Sequence, residues 1–207
     1  MKPNDEVFEQ SVPHEAGHVL LAYCFRIPVK HIAYRIRSEF DGRIISAIAN
    51  PSAMPSDEEK RAHCLVASAG MAGEVVATGV YDRANLDPRN PDKRVVHVLA
   101  SAGLTDFLQP AQEIIVKNKE AFDALCSAIR ERYPEIKARI ISSAQPGIYP
   151  LLVTEDLDKI LAGVTLTVRA KPSRKRSRAK PSSKAKPSRT RSSEQPTGKA
   201  KRRRKRS

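Results

Sequence analysis

The chain has 207 residues and a formal net charge of +14, but this charge is distributed very unevenly. Residues 169–207 hold 18 of the 37 lysines and arginines and a single acid, Glu194, so this segment carries +17 and residues 1–168 carry −3. No run approaches the roughly 18 uncharged apolar residues of a membrane-spanning helix, and the polar N-terminus lacks the apolar core of a signal peptide. These features argue against a membrane-spanning or secreted protein and predict a cytoplasmic one.

Residues 1–168 and 169–207 are predicted to be two different kinds of segment. The first is long enough to bury a hydrophobic core, and we expect it to form one domain. Its three cysteines, Cys24, Cys64 and Cys126, are widely spaced in apolar stretches, which favours buried thiols in a reducing compartment. The second segment consists almost entirely of Lys, Arg, Ser, Pro and Ala, and it contains no Val, Leu, Ile, Met or aromatic residue. Such a tail cannot bury enough surface to offset chain entropy, so we expect it to be disordered.

Hydrophobic periodicity predicts the elements of the domain in chain order. Apolar and polar residues alternate over residues 29–49 on both sides of an Asp41-Gly42 pair, which predicts a β-hairpin. Ser56 and Glu59 form a capping-box pattern ahead of a helix over residues 57–78 that ends at Gly79. This helix is rich in small residues, which indicates that another element packs closely against it. The outer strand of the hairpin either accepts an extended peptide by strand addition or merely covers the core.

The C-terminal half of the domain is predicted to be helical. Residues 81–91 contain many loop formers, and helix is expected to resume near Asp92. Apolar spacing over residues 110–143 fits one long helix or two helices joined at Tyr133-Pro134. A short helix over residues 154–161 closes the domain. The predicted fold class is therefore mainly α with a small β-hairpin or sheet.

The sequence His14-Glu15-Ala16-Gly17-His18 is an HExxH motif at the start of a predicted helix. Residues four apart project from one face of a helix, so His14 and His18 can bind one zinc ion. Glu15 then lies beside the metal, where it can act as general base towards a water on the zinc. The pattern predicts a zinc-dependent hydrolase site.

A catalytic zinc site needs a third protein ligand. No histidine or glutamate follows at the spacing of the better-known extended HExxH patterns. The candidates are Glu58, Glu59, Glu74, Asp82, Asp87, Asp92, His63 and His97. Of the histidines outside the motif, we expect His31, His63 and His97 to be packed or solvent-facing.

Five segments of the chain together resemble the peptidase domain of FtsH, the membrane-bound AAA+ zinc protease. His14–His18 is similar to its HEAGH signature, residues 28–32 to the start of its hairpin, and residues 69–76 to its GGRxAEEII helix. Residues 92–100 are similar to its DLxxAT helix and residues 151–157 to its C-terminal LLExETL segment. The resemblance spans residues 7–161 in order and implies an FtsH-like peptidase fold.

The resemblance also implies a ligand set. In the family the third zinc ligand is the aspartate that opens the DLxxAT helix, which corresponds to Asp92 here. Glu74 corresponds to the first glutamate of the AEE helix, and it becomes either a rival ligand or a partner that orients a histidine. Residues 87–91, which directly precede Asp92, differ from the glycine-rich sequence that the family has at this place. This difference leaves Asp87 as a secondary candidate for the third ligand.

Three functions remain open at this stage. The leading hypothesis is a zinc metalloendopeptidase that cleaves unfolded or flexible polypeptide, alone or with a separate AAA+ ATPase, because the chain contains no phosphate-binding loop. The second is a non-catalytic or regulatory FtsH-like domain whose basic tail binds nucleic acid, ribosomes or another polyanion. The third is a structural subunit of a larger protease. An intact Glu15 favours the first hypothesis, since a site kept only to hold a metal needs no general base.

Overall fold

A computed structural model describes residues 3–38, 41–80, 91–101, 105–162 and 164–167. The predictions for residues 81–90, for the boundary at residue 168 and for the tail lie outside the described residues. Six helices and one antiparallel sheet of three strands form within the described ranges, which confirms the predicted fold class. In chain order the elements are α1 Asp5–Cys24, β1 Val29–Ser38, β2 Asp41–Ile48, α2 Asp57–Thr78, α3 Pro91–Ala100, α4 Thr105–Lys117, α5 Lys119–Ser143, β3 Gly147–Val153 and α6 Thr154–Ala162.

Helix α1 begins nine residues before the HExxH motif. Asn4 caps it, because its side-chain oxygen accepts hydrogen bonds from the backbone N–H groups of Glu6 and Val7. The helix then continues through Pro13. Helix was predicted only from His14 onwards. Pro13 lies in the helix interior, whereas a proline usually stands in the first turn. The motif therefore lies in the middle of a long helix whose second half is buried.

The sheet has the order β2-β1-β3, with β1 at its centre. The predicted hairpin is confirmed: β1 and β2 pair antiparallel, Ser38 pairs with Asp41, and Gly42 lies in β2 opposite Ile36. Strand β3 was not predicted, and it contains Pro150, a residue that sheets confine to edge strands and irregularities. An edge strand tolerates proline, and Pro150 lies at the irregularity in the pairing of β1 with β3.

Helix α2 agrees with its sequence prediction at both ends. The Ser56 side chain accepts a hydrogen bond from the Glu59 N–H, and Gly79 ends the helix in the left-handed conformation with φ of 71°. Only half of the capping box forms, since the Glu59 carboxylate accepts from the backbone and hydroxyl of Ser52 instead. The small residues of α2 do permit close packing: a Cβ added to Gly17 of α1 would overlap the carbonyl oxygen of Ala69.

The long C-terminal helical region is divided at Asn118, not at Tyr133-Pro134 as one alternative had it. Pro134 lies within α5 on its exposed face, where water can hydrate the carbonyl that loses its helical partner. Asn118 donates from its side chain to the Ile114 carbonyl and accepts from the Thr167 N–H. These bonds fix the junction between α4 and α5.

The core lies between α1, the inner face of the sheet and the helices α2, α4 and α5. Its largest fully buried side chains include Phe8, Tyr34, Phe122 and Leu20. The three cysteines are free and buried, as predicted. Across the described ranges, no helix combines the length and the apolar character that a membrane span requires.

Candidate metal centre

Three predicted side chains converge at the junction of α1, α2 and α3. His14 and His18 are one turn apart on α1, and Asp92 lies in the first turn of α3. The Nε2 atoms of His14 and His18 are 3.0 Å apart. Asp92 Oδ2 lies 3.5 Å from His14 Nε2 and 3.4 Å from His18 Nε2. Two ring nitrogens and one carboxylate oxygen therefore form a triangle, and no other group of three or more candidate ligands is found among the described residues.

The dimensions of this triangle fit a metal ion. Zinc in a tetrahedral site is held at about 2.0–2.1 Å from nitrogen and oxygen ligands, which places the ligand atoms roughly 3.3 Å from one another. The three measured separations, from 3.0 to 3.5 Å, bracket that value. Three protein ligands leave the fourth tetrahedral position for water or substrate, as in catalytic zinc sites.

Both imidazoles are oriented through their outer nitrogens. His14 Nδ1–H donates to Glu74 Oε1 at 2.7 Å, and His18 Nδ1–H donates to the Val66 carbonyl oxygen at 2.7 Å. Each ring thus directs the lone pair of Nε2 towards Asp92. Glu74 contacts the ring nitrogen of His14 that faces away from this triangle, so of its two predicted roles the geometry matches that of an orienting partner.

The electrostatics of the three groups favour a cation at their centre. Burial alone would lower the pKa of His14, but hydrogen bonds to Asp92 and Glu74 and the charge of Glu15 raise it to about 10. Burial also opposes charge on His18, yet Asp92 raises its pKa. For Asp92, burial would raise the pKa, and the two histidines lower it well below its usual range. Three acceptors that face one another, with His18 buried and His14 and Asp92 partly buried, favour positive charge between them.

Gly70 provides the space for the two imidazoles beside α2. A Cβ built at this position would lie 2.5 Å from His14 Nε2 and 2.5 Å from His18 Nε2. Any side chain at residue 70 would therefore overlap both rings. The glycine allows the two imidazoles to pack directly against α2.

The triangle lies in a cleft of about 860 Å³. Glu15 also lines this cleft and is half-buried. Residues of β2, an edge strand of the sheet, also line the cleft and include Ile44, Ile45 and Ile48. The cleft thus brings a carboxylate, a candidate metal position and a strand edge into one space.

The other candidate ligands lie elsewhere or serve other contacts. Glu58 and His97 are exposed, and Glu59 is engaged by Ser52. His63 is 8% exposed and lines the same cleft; burial lowers its pKa, although Glu59 opposes this. Asp82 and Asp87 fall outside the described residues. His31 is half-buried on β1, and neither it nor His97 lines the cleft.

Two features of the cleft were missed from sequence. The Val66 carbonyl that orients His18 is a backbone atom, so no residue type could have indicated it. Arg35, Arg37 and Arg43 line the cleft from the sheet. The period-two pattern of β1 placed Arg35 and Arg37 on one face, but only the pairing of the strands places Arg43 beside them.

Comparison with known proteins gives no further guidance, since the chain matches no protein-family model and no curated protein sequence. The likeness to the FtsH peptidase domain therefore rests on the motifs of the sequence itself.

Proposed function

We propose that this protein is an FtsH-like zinc metallopeptidase that hydrolyses peptide bonds in extended or unfolded polypeptide in the cytoplasm. The observation that carries the proposal is the convergence of His14, His18 and Asp92 in a cleft that Glu15 also lines. Three free, buried thiols are in keeping with a reducing compartment.

His14, His18 and Asp92 would hold the metal, with Glu74 and the Val66 carbonyl fixing the two imidazoles. When bound, zinc would polarise the scissile carbonyl and acidify the attacking water. These residues fit that ion because they present two imidazole nitrogens and one carboxylate oxygen at near-tetrahedral spacing.

Glu15 would move the proton. Its carboxylate takes a proton from the water as the water oxygen bonds to the carbonyl carbon, and it then delivers that proton to the amide nitrogen as the C–N bond breaks. The products are a carboxylic acid and an amine, and transfer of the remaining proton converts them to a carboxylate and an ammonium group. The position of Glu15, next to His14 on α1 and half-buried in the cleft, suits a group that must exchange protons with both water and substrate.

The substrate would lie extended along β2. An edge strand has unpaired backbone groups that an extended peptide can bond, and β2 has only β1 as a neighbour in the described sheet. Folded substrates would need prior unfolding, for which a separate AAA+ ATPase is a natural partner.

The test is hydrolysis of unfolded casein by the zinc-loaded full-length chain. We expect Glu15→Gln to retain zinc and to lose on the order of 10²–10⁴-fold in rate, because it keeps the shape of the side chain but cannot accept a proton. His14→Ala should lose the metal and the activity together. Glu6→Gln, the same change at an exposed site of α1, is the matched control and should behave like the wild type.

The proposal fails if Glu15→Gln cleaves casein at the wild-type rate, or if zinc-loaded wild-type protein cleaves no unfolded polypeptide. Wild-type zinc affinity in His14→Ala would show that the metal binds elsewhere.

A further inference from the structure

One wall of the cleft carries a cluster of three arginines, Arg35 and Arg37 on β1 and Arg43 on β2. Side chains two apart on a strand share a face, so Arg35 and Arg37 project together. Arg43 is the direct cross-strand partner of Arg35 and joins them on that face. The arginine cluster thus places three guanidinium groups on one wall of the cleft.

Among the residues that the structure describes, the charged side chains on this wall are positive. The acids found among the described lining residues are Glu15 and Asp92, and Asp92 lies against the two histidines. Among the side chains that the structure describes, neither Arg37 nor Arg43 takes part in an ion pair. Both are exposed, whereas Arg35 is half-buried. Their guanidinium groups are accessible from the cleft.

The neighbouring surface indicates what kind of anion would bind. Ile44, Ile45 and Ile48 line the cleft beside the arginines, and apolar side chains suit a polypeptide better than a phosphate backbone. Guanidinium groups form planar, bidentate hydrogen bonds with carboxylates. A polypeptide with acidic side chains matches both parts of this wall.

We propose that the arginine cluster binds aspartate or glutamate side chains of the substrate and so makes the peptidase selective for acidic segments. This inference rests on the proposed function. The β2 residues that line the cleft run from Arg43 to Ile48, about 17–20 Å of extended chain. An acidic residue bound at the cluster would therefore lie within about six residues of the bond that is cleaved.

The test compares two quenched fluorescent peptides that differ only in Glu against Gln at positions on either side of the central bond. Zinc-loaded full-length protein should cleave the acidic peptide with a kcat/KM on the order of 10-fold higher, since several partly exposed ion pairs contribute. The double variant Arg37→Gln/Arg43→Gln should lose this preference, so that its kcat/KM values for the two peptides become equal. Both residues are exposed, so the fold should tolerate the change.

Arg139→Gln is the matched control, because Arg139 is exposed on α5 and does not line the cleft. The basic tail, which attracts acidic peptides non-specifically, is identical in all variants. A preference that comes from the tail would therefore remain in Arg139→Gln and in the double variant alike. Equal kcat/KM values for the two peptides, or a preference that survives in the double variant, would overturn the inference.

Failure of the proposed function would look different, because neither peptide would be cleaved. Binding of the acidic peptide to Glu15→Gln protein, followed by fluorescence anisotropy, then decides the question separately. Weaker binding in the Arg37→Gln/Arg43→Gln background would support the arginine cluster as a carboxylate site. An unchanged affinity would refute it. It would also be refuted if the protein bound single-stranded RNA more tightly than the acidic peptide and if this RNA binding were lost in the Arg37→Gln/Arg43→Gln background.

Discussion

His14 is contacted by two carboxylates at opposite nitrogens of its ring, and the two contacts have different chemical meanings. Glu74 Oε1 accepts from Nδ1–H at 2.7 Å, whereas Asp92 Oδ2 lies 3.5 Å from Nε2. A carboxylate on the outer nitrogen affects the metal only through the imidazole. A carboxylate beside the inner nitrogen can bind the metal itself.

We therefore predict that Asp92→Ala weakens zinc binding far more than Glu74→Ala does. Loss of an orienting partner costs on the order of 10–100-fold in affinity, whereas loss of a ligand should remove tight binding. Competition with a chromophoric chelator measures both affinities. His97→Ala, an exposed change on the same helix as Asp92, should leave zinc binding unaltered. A greater loss in Glu74→Ala than in Asp92→Ala would reverse the two assignments.

Helix α2 supplies two glycines whose roles can be separated by the same substitution. We predict that Gly70→Ala abolishes zinc binding, because the new methyl group meets the Nε2 atoms of both histidines. The chain should stay folded, because alanine is more favourable than glycine in a helix interior by about 1 kcal/mol. Gly79→Ala should leave zinc binding intact and lower the stability of the fold. Its Cβ would meet nothing within 4 Å, but its φ of 71° should cost about 1 kcal/mol of stability.

Isothermal zinc titration and thermal unfolding of both variants measure these two effects. Tight zinc binding by Gly70→Ala would mean that the imidazoles can move aside, and the close approach of α2 would then not define the site.

At the level of elements, local signals were sufficient for some structures and misleading for others. The Ser56 cap and Gly79 are local, and α2 begins and ends where they predict. Pro134 and Pro150 are also local signals, but both prolines are tolerated because of where they lie: on an exposed helix face for Pro134 and in an edge strand for Pro150. The break at Asn118 depends on Thr167, 49 residues away, which no sequence window contains.

The same distinction applies to the candidate site. His14, Glu15 and His18 are related by helical spacing alone, and the sequence was enough to bring them together. Asp92 required the resemblance to a family, since it lies 74 residues beyond His18. Tertiary packing alone brings the Val66 carbonyl to His18 and Arg43 opposite Arg35.

On the scale of the whole molecule, the charge divides the chain into a slightly acidic domain and a tail of +17. We predict that the tail binds RNA or DNA without sequence preference, because it has no aromatic residue for base stacking. Deletion of residues 169–207 should abolish this binding and leave hydrolysis of a small unfolded substrate largely intact. The affinity of the full chain should fall steeply between about 50 and 200 mM salt through counterion release.

Electrophoretic mobility shifts with mixed-sequence oligonucleotides, at both salt concentrations, provide the measurement. Binding that persists in the truncated chain, or that does not respond to salt, would assign the polyanion site to the domain instead.

The arginine cluster has a consequence for the chain that carries it. Composition predicts residues 169–207 to be unstructured, and unstructured segments are the preferred sites of proteolytic nicking. With 18 basic residues and one acid, this segment would be repelled by the arginine cluster of another copy, which we propose attracts acidic substrate. Copies of the protein would then be poor substrates for one another, so that selectivity and resistance to self-digestion have a single electrostatic origin.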